Sequence, residues 1–165
     1  MRDVVMLKLF QYNWQVRDDW FTWCKDVPEE ELLKKRVGGV GSILYTLFHI
    51  VDVEWAWITL DLRGEQVPKH PTFEEYSSLQ KVLNLSRQYR GDVEPYVRSW
   101  TSEMESKIFS ENNPNGETEN FKYGEIMRHV IAHEIHHIGQ LSIWSRELGK
   151  KPVTANLIRR GLFDN

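Results

Sequence analysis

A single cysteine, Cys24, excludes any disulfide within the chain and suits a reducing compartment. It stands among Trp20, Phe21 and Trp23, which points to a packed thiol rather than a nucleophile. Positive charge is short as well. With 21 Lys and Arg against 24 Asp and Glu the formal net charge is −3, and Arg159 with Arg160 is too small a basic cluster to bind nucleic acid. Ten glycines and six prolines are too few for a low-complexity chain. Long unbroken apolar runs are missing too: the most apolar stretch, residues 43–62, is interrupted by His49, Asp52, Glu54 and Asp61. It reads as a buried helix of a soluble, cytoplasmic protein and not as a membrane span. Residues 1–8 have neither the apolar core nor the small-residue site of a signal peptide.

Tryptophan is plentiful. Seven occur, and Trp14, Trp20, Trp23, Trp55 and Trp57 fall on the first two predicted long helices, where bulky packing is the default explanation. A chain of 165 residues is the size of one domain, 1–165, and can bury a core without a structural metal. Any metal it binds is therefore expected to be functional.

Apolar spacing at three and four residues predicts a helix over about Asp3 to Lys25. Pro28 opens a short acidic turn, and Gly38, Gly39 and Gly41 interrupt the pattern. Ser42 is the expected N-cap of a second long helix running to Arg63 and stopped by Gly64. Thr72 and Glu75 have capping-box spacing, and a third helix is expected from Phe73 to Glu105, kinked or broken at Gly91 and Pro95. Around Asn112 to Gly116 the sequence reads as an irregular hairpin or loop. The last long helix spans Tyr123 to Leu148 before Gly149, and a short turn follows near Asn156 to Arg160. Four long helices with short connections make an all-α chain, a four-helix bundle with a short insert before its last helix.

The chemistry concentrates on that last helix. His133 and His137 are one turn apart, about 40° from each other on the helical wheel and within the apolar stripe of Ile126, Val130, Trp144 and Leu148. Two imidazoles so placed can share one ion, or can be hydrogen-bonded core histidines. His49, in the middle of the very apolar second helix, is costly to bury without a partner and completes a three-imidazole site between facing helices. Three histidines leave positions open for water or substrate, the pattern of catalytic zinc, although imidazole also suits nickel, copper and iron(II). Asp52 and Glu54 are candidates to orient a ligating ring through its other nitrogen, and Gln140 and His129 lie within reach as further partners. His133-Glu134-Ile-His-His137 also satisfies the H-E-x-x-H pattern of zinc peptidases, which nominates Glu134, with His136 beside it, as a proton carrier. A peptidase would need a third ligand downstream. No histidine follows His137, and Glu147 lies about 15 Å further along the helix. His70, between Lys69 and Pro71, reads as a surface residue.

Tyr12-Asn-Trp14, the segment Gly41-Ser-Ile-Leu-Tyr-Thr-Leu-Phe-His49 with Trp57 downstream, and His129-Val-Ile-Ala-His-Glu-Ile-His-His-Ile-Gly-Gln-Leu141 together resemble the DinB family, damage-inducible bacterial proteins of the DinB/YfiT-like superfamily of metalloenzymes. The resemblance implies an up-down-down-up four-helix bundle, commonly a homodimer, with one divalent ion, often nickel or zinc, held by His49, His133 and His137. It also implies kinship with transferases that use a small-molecule thiol such as mycothiol, bacillithiol or glutathione and pass it to an electrophile. Three functions are thus in view: a thiol S-transferase, a hydrolase using metal-bound water with Glu134 or His136 as proton carrier, and a non-catalytic metal- or stress-responsive binding protein. Nucleic-acid and membrane partners are not expected.

Overall fold

The structure is a computed structural model that describes residues 4–163. It is mostly helical with one small sheet. Helix α1 spans Val4–Cys24, α2 is the short Glu29–Leu33, α3 runs Ile43–Trp55 and continues as a π-helical segment, Ala56–Leu62; α4 is Leu79–Ser99 and α5 is Tyr123–Glu147. Strands β1 (Ile108–Asn112) and β2 (Thr118–Lys122) form an antiparallel hairpin ahead of α5.

Local chemistry explains most boundaries. The Ser42 hydroxyl accepts from the Tyr45 N–H at 3.1 Å, capping α3 as expected. The chain leaves the π segment at Gly64 and leaves α5 at Gly149, with φ of 69° and 67°, a conformation that only glycine adopts without strain. The third predicted helix is corrected. Thr72 and Glu75 do form a capping box, but it opens only a 3₁₀ turn, Phe73–Tyr76. A new helix then starts at Ser78, whose hydroxyl accepts from Lys81 N–H, so a second N-cap ends the first turn. Gly91 and Pro95, the expected breaks, both lie inside α4. The N–H that Pro95 lacks would have bonded the carbonyl of Gly91, and a single missing bond is tolerated in a 21-residue helix packed along one face. The insert is also more regular than expected, a hairpin with Phe109 directly opposite Phe121.

Helix α3 packs on α4 and α5, and α1 packs on the same two, so the four long helices enclose one core. Phe10, Trp20, Leu44, Leu47, Ile58, Val82, Val93 and Met127 are completely buried in it. Trp55 stacks on Tyr89 at 4.1 Å, joining α3 to α4. By composition Ile43–Leu62 is long and apolar enough to cross a membrane, yet most of it is buried inside this fold. Cys24 is fully buried, and burial pushes its thiol pKa up to about 12, so it carries no thiolate at neutral pH.

Candidate metal centre

His49 on α3 faces His133 and His137 on α5. Their Nε2 atoms converge: His133 to His49 at 3.0 Å and His137 to His133 at 3.1 Å, with the ligand atoms of all three within 4.8 Å of one another. A tetrahedral ion with bonds of about 2.0–2.1 Å separates its nitrogens by roughly 3.3 Å, close to the 3.0 and 3.1 Å separations from His133 to the other two. Hydrogen bonding alone does not satisfy the trio. The Nδ1 of His137 lies 2.8 Å from the Gln140 amide oxygen, so Nδ1 holds the proton and Nε2 offers a lone pair. One N–H at the His133 Nε2 can serve only one of its two neighbours, whereas a cation serves all three.

Protons are poor substitutes for that cation. Burial, and then the neighbouring imidazoles of His137, His49, His129 and His136, depress His133 to about 3. His49 is lowered as well, first by burial and then by His137. The rings of His49 and His133 are therefore neutral near pH 7, with lone pairs free. Three imidazoles on two packed helices are positioned to bind one divalent ion.

Gln140 ties this centre to a loop. Its amide N–H donates to His136 Nε2 at 3.1 Å while its oxygen holds His137. Gly39, with φ 54°, lies against that amide, and a Cβ there would collide with the amide oxygen. Trp144 fixes the same loop by donating its indole N–H to the Val37 carbonyl at 3.2 Å. Sequence reading saw the glycines only as a break in a helical pattern; the close approach of Gly39 to Gln140 is a long-range fact with no local signal. Gln140→Leu is expected to weaken metal affinity about 10–100-fold without loss of fold, measured by competition with a chromogenic chelator.

The other candidate residues are placed as follows. Glu134 and Glu54 belong to a buried network centred on Arg17 of α1. Arg17 donates Nε to Glu134 Oε1 at 2.9 Å and Nη2 to Glu134 Oε2 at 2.6 Å, and also Nη1 to Glu54 Oε1 at 3.0 Å. Trp14 donates its indole N–H to Glu54 Oε2 at 3.0 Å. Burial raises Glu134 above the usual carboxylate range despite the Arg17 charge, and Glu54 adds to the rise. Sequence reading missed Arg17, because an arginine on an apolar helix face gives no sign of its partners. Asp52 bonds His70 Nε2 at 3.1 Å, so His70 is paired although half-exposed. His136 and His129 are exposed, flanking the trio on α5, with the His129 ring 6.1 Å from that of His133.

Residues 1–161 match the model of the DinB family. The chain belongs to the DinB family. It is 46% identical over 157 residues to the uncharacterized protein YizA of Bacillus subtilis (strain 168), an alignment covering 95% of this chain and 96% of YizA.

Beside the histidines this DinB protein has a cavity of about 250 Å³ lined by Trp57, Glu111, Phe121, Glu125, Ile126 and His129. Trp57 sits in the π segment that follows the His49 helix. Its ring meets His129 edge-on at 5.9 Å and Phe109 of β1 at 6.1 Å. Widened turns of this kind are often found at functional sites, and periodicity in the sequence cannot distinguish them from α-helix.

Proposed function

We propose that this DinB protein is a metal-dependent S-transferase for a low-molecular-weight thiol of the bacillithiol, mycothiol or glutathione type. The convergence of three imidazole Nε2 atoms from α3 and α5 is the observation that supports it. His49, His133 and His137 hold one divalent ion, zinc or nickel, leaving positions open. Bound there, the ion supplies an electrostatic field that lowers the pKa of a thiol at the open position. The thiol proton passes to solvent by way of exposed His136, which Gln140 holds beside the centre. Sulfur then bonds to the electrophile as its leaving group departs with the bonding pair. The protein's own thiol has no part, since Cys24 is buried and protonated.

A hydrolase with Glu134 as base is the weaker reading, because both Glu134 oxygens accept from Arg17. In the same proposal the four long helices form a single up-down-down-up bundle, paired as a homodimer and working in the cytoplasm, with a role in stress response. Protein purified without an affinity tag, given a thiol and a chromogenic aryl halide, is expected to form the conjugate only with metal bound. Chelator treatment should lower the rate at least about 100-fold, and re-addition of zinc or nickel should restore it. Ester turnover without any thiol would favour the hydrolase, and neither activity would favour a binding protein.

A further inference from the structure

The cavity next to the centre has an unusual combination of walls and rim. Trp57, Phe121 and Ile126 make it apolar, and about 250 Å³ is room for one ring with a short side chain. Its lining contains two carboxylates, Glu111 and Glu125, and neither Lys nor Arg. The hairpin register adds a third acid. Glu119 stands directly opposite Glu111, on the face that carries Phe109 and Phe121. Like charges in direct register destabilise a hairpin, so this pairing works against folding. Among the described residues none of these three glutamates has an ion-pair partner. Asp61 of the π segment feels the same field: its pKa is raised, chiefly by burial and then by Glu111.

An anionic guest is unsuited to such a place. Bacillithiol and glutathione carry carboxylates, and those charged parts would be repelled from this rim. We propose that the cavity binds the other substrate, and that this is a cationic small molecule: an apolar ring packed on Trp57, Phe121 and Ile126, with an ammonium group facing Glu111 and Glu125. The His129 wall puts the guest one ring away from His133, so it would lie beside the thiol. This assignment rests on the metal-centre reading for its role in the reaction, but the binding itself does not require metal.

Three probes with one shared body test it: phenethylamine, phenethyl alcohol and hydrocinnamate, which are cationic, neutral and anionic. Each is titrated into the full chain, followed by the NMR shift of the Trp57 indole resonance, with metal content measured on the same sample. Phenethylamine is expected to bind about tenfold more tightly than hydrocinnamate, with the alcohol between them, and its advantage should shrink in high salt. The double variant Glu111→Gln, Glu125→Gln should reduce the advantage over hydrocinnamate to about twofold or less while leaving the alcohol unchanged. Trp57→Leu, followed instead through the ring resonances of Phe121 in the same cavity, should weaken all three; if that variant unfolds, the isosteric glutamine pair decides alone. Equal binding of amine and hydrocinnamate, no binding of the amine at millimolar concentration, or a preference that survives the glutamine pair would overturn the proposal. Any of these results in metal-replete protein refutes the cavity assignment alone, whereas amine selectivity in protein that takes up no metal refutes the metal centre alone.

Discussion

His133→Ala is expected to leave the protein folded but unable to retain a divalent ion. His133 is the middle member of the trio, with its Nε2 within 3.1 Å of both others. Two imidazoles remain in the variant, and even loss of a group that only orients a ligand costs about 10–100-fold in affinity. The loss on removing a ligand should be at least about 100-fold. Metal per chain after dialysis, by elemental analysis, should fall from about one to near zero. His70→Ala should retain the ion, because His70 pairs with Asp52 and not with the trio. Stability gives a second readout. An ion at 100 times its Kd adds about 2.7 kcal/mol. For a domain of this size that is a rise in Tm of about 5–10 °C on adding zinc or nickel. The wild type should show it and His133→Ala should not; equal metal content or equal metal-induced shifts in the two alanine variants would remove the basis for the centre. Without metal the variant should be close to wild type in stability, since deletion of the ring also removes an unsatisfied nitrogen contact.

Arg17→Met should be the most destabilising single change in the core. Arg17 is fully buried, and the bonds it makes are what allow Glu54 and Glu134 to lie 2% and 1% exposed. Removing one partner of a buried ion pair costs about 3–5 kcal/mol, because the charge left behind has neither water nor a counter-ion. At roughly 2–4 °C per kcal/mol, Tm should fall by about 6–20 °C in thermal unfolding. The triple variant Arg17→Met, Glu54→Gln, Glu134→Leu should recover most of it, because an amide oxygen at position 54 can still accept from the Trp14 indole. The pH dependence has a definite sign. Burial already raises Glu134 above the ordinary carboxylate range of about 4, and removing Arg17 takes away the charge that opposes this, so the folded variant holds that proton more tightly than the unfolded chain does. The deficit is therefore largest at neutral pH and shrinks as pH falls through that raised value. A deficit that is independent of pH, or a loss below about 1 kcal/mol, would show that Arg17 is not the counter-charge of this pair.

Metal binding and the buried network share a helix. Glu134 follows His133 directly on α5, so the network that holds Glu134 also fixes the rotation of α5 about its axis. His49 and Glu54 are likewise both on α3, and Arg17 of α1 reaches both carboxylates. The H-E-x-x-H spacing is thus filled by two different tasks: histidines turned toward α3 and a glutamate turned toward α1. A helix allows this because successive residues are about 100° apart.

Helical periodicity, the Ser42 cap, the stops at Gly64 and Gly149, and the spacing of His133 and His137 were all legible in the chain, because each depends on contacts within a few residues. The second N-cap at Ser78 was legible in principle but was outweighed by the apparent continuity of the pattern on either side. Helix rotation and helix neighbours are different in kind. Which carboxylates Arg17 joins, which residue Asp52 binds, and where the π turns put Trp57 all depend on how α1, α3 and α5 come together.

By itself the sequence determined a helical chain of the DinB family with imidazoles one turn apart on an apolar face, since apolar period and residue type suffice for that. Only tertiary structure decided that His49 closes the trio, that Glu134 faces Arg17, and that Gly39 seats Gln140. Those contacts join residues from 84 to 117 positions apart, and their geometry is set by helix packing, which no local pattern encodes.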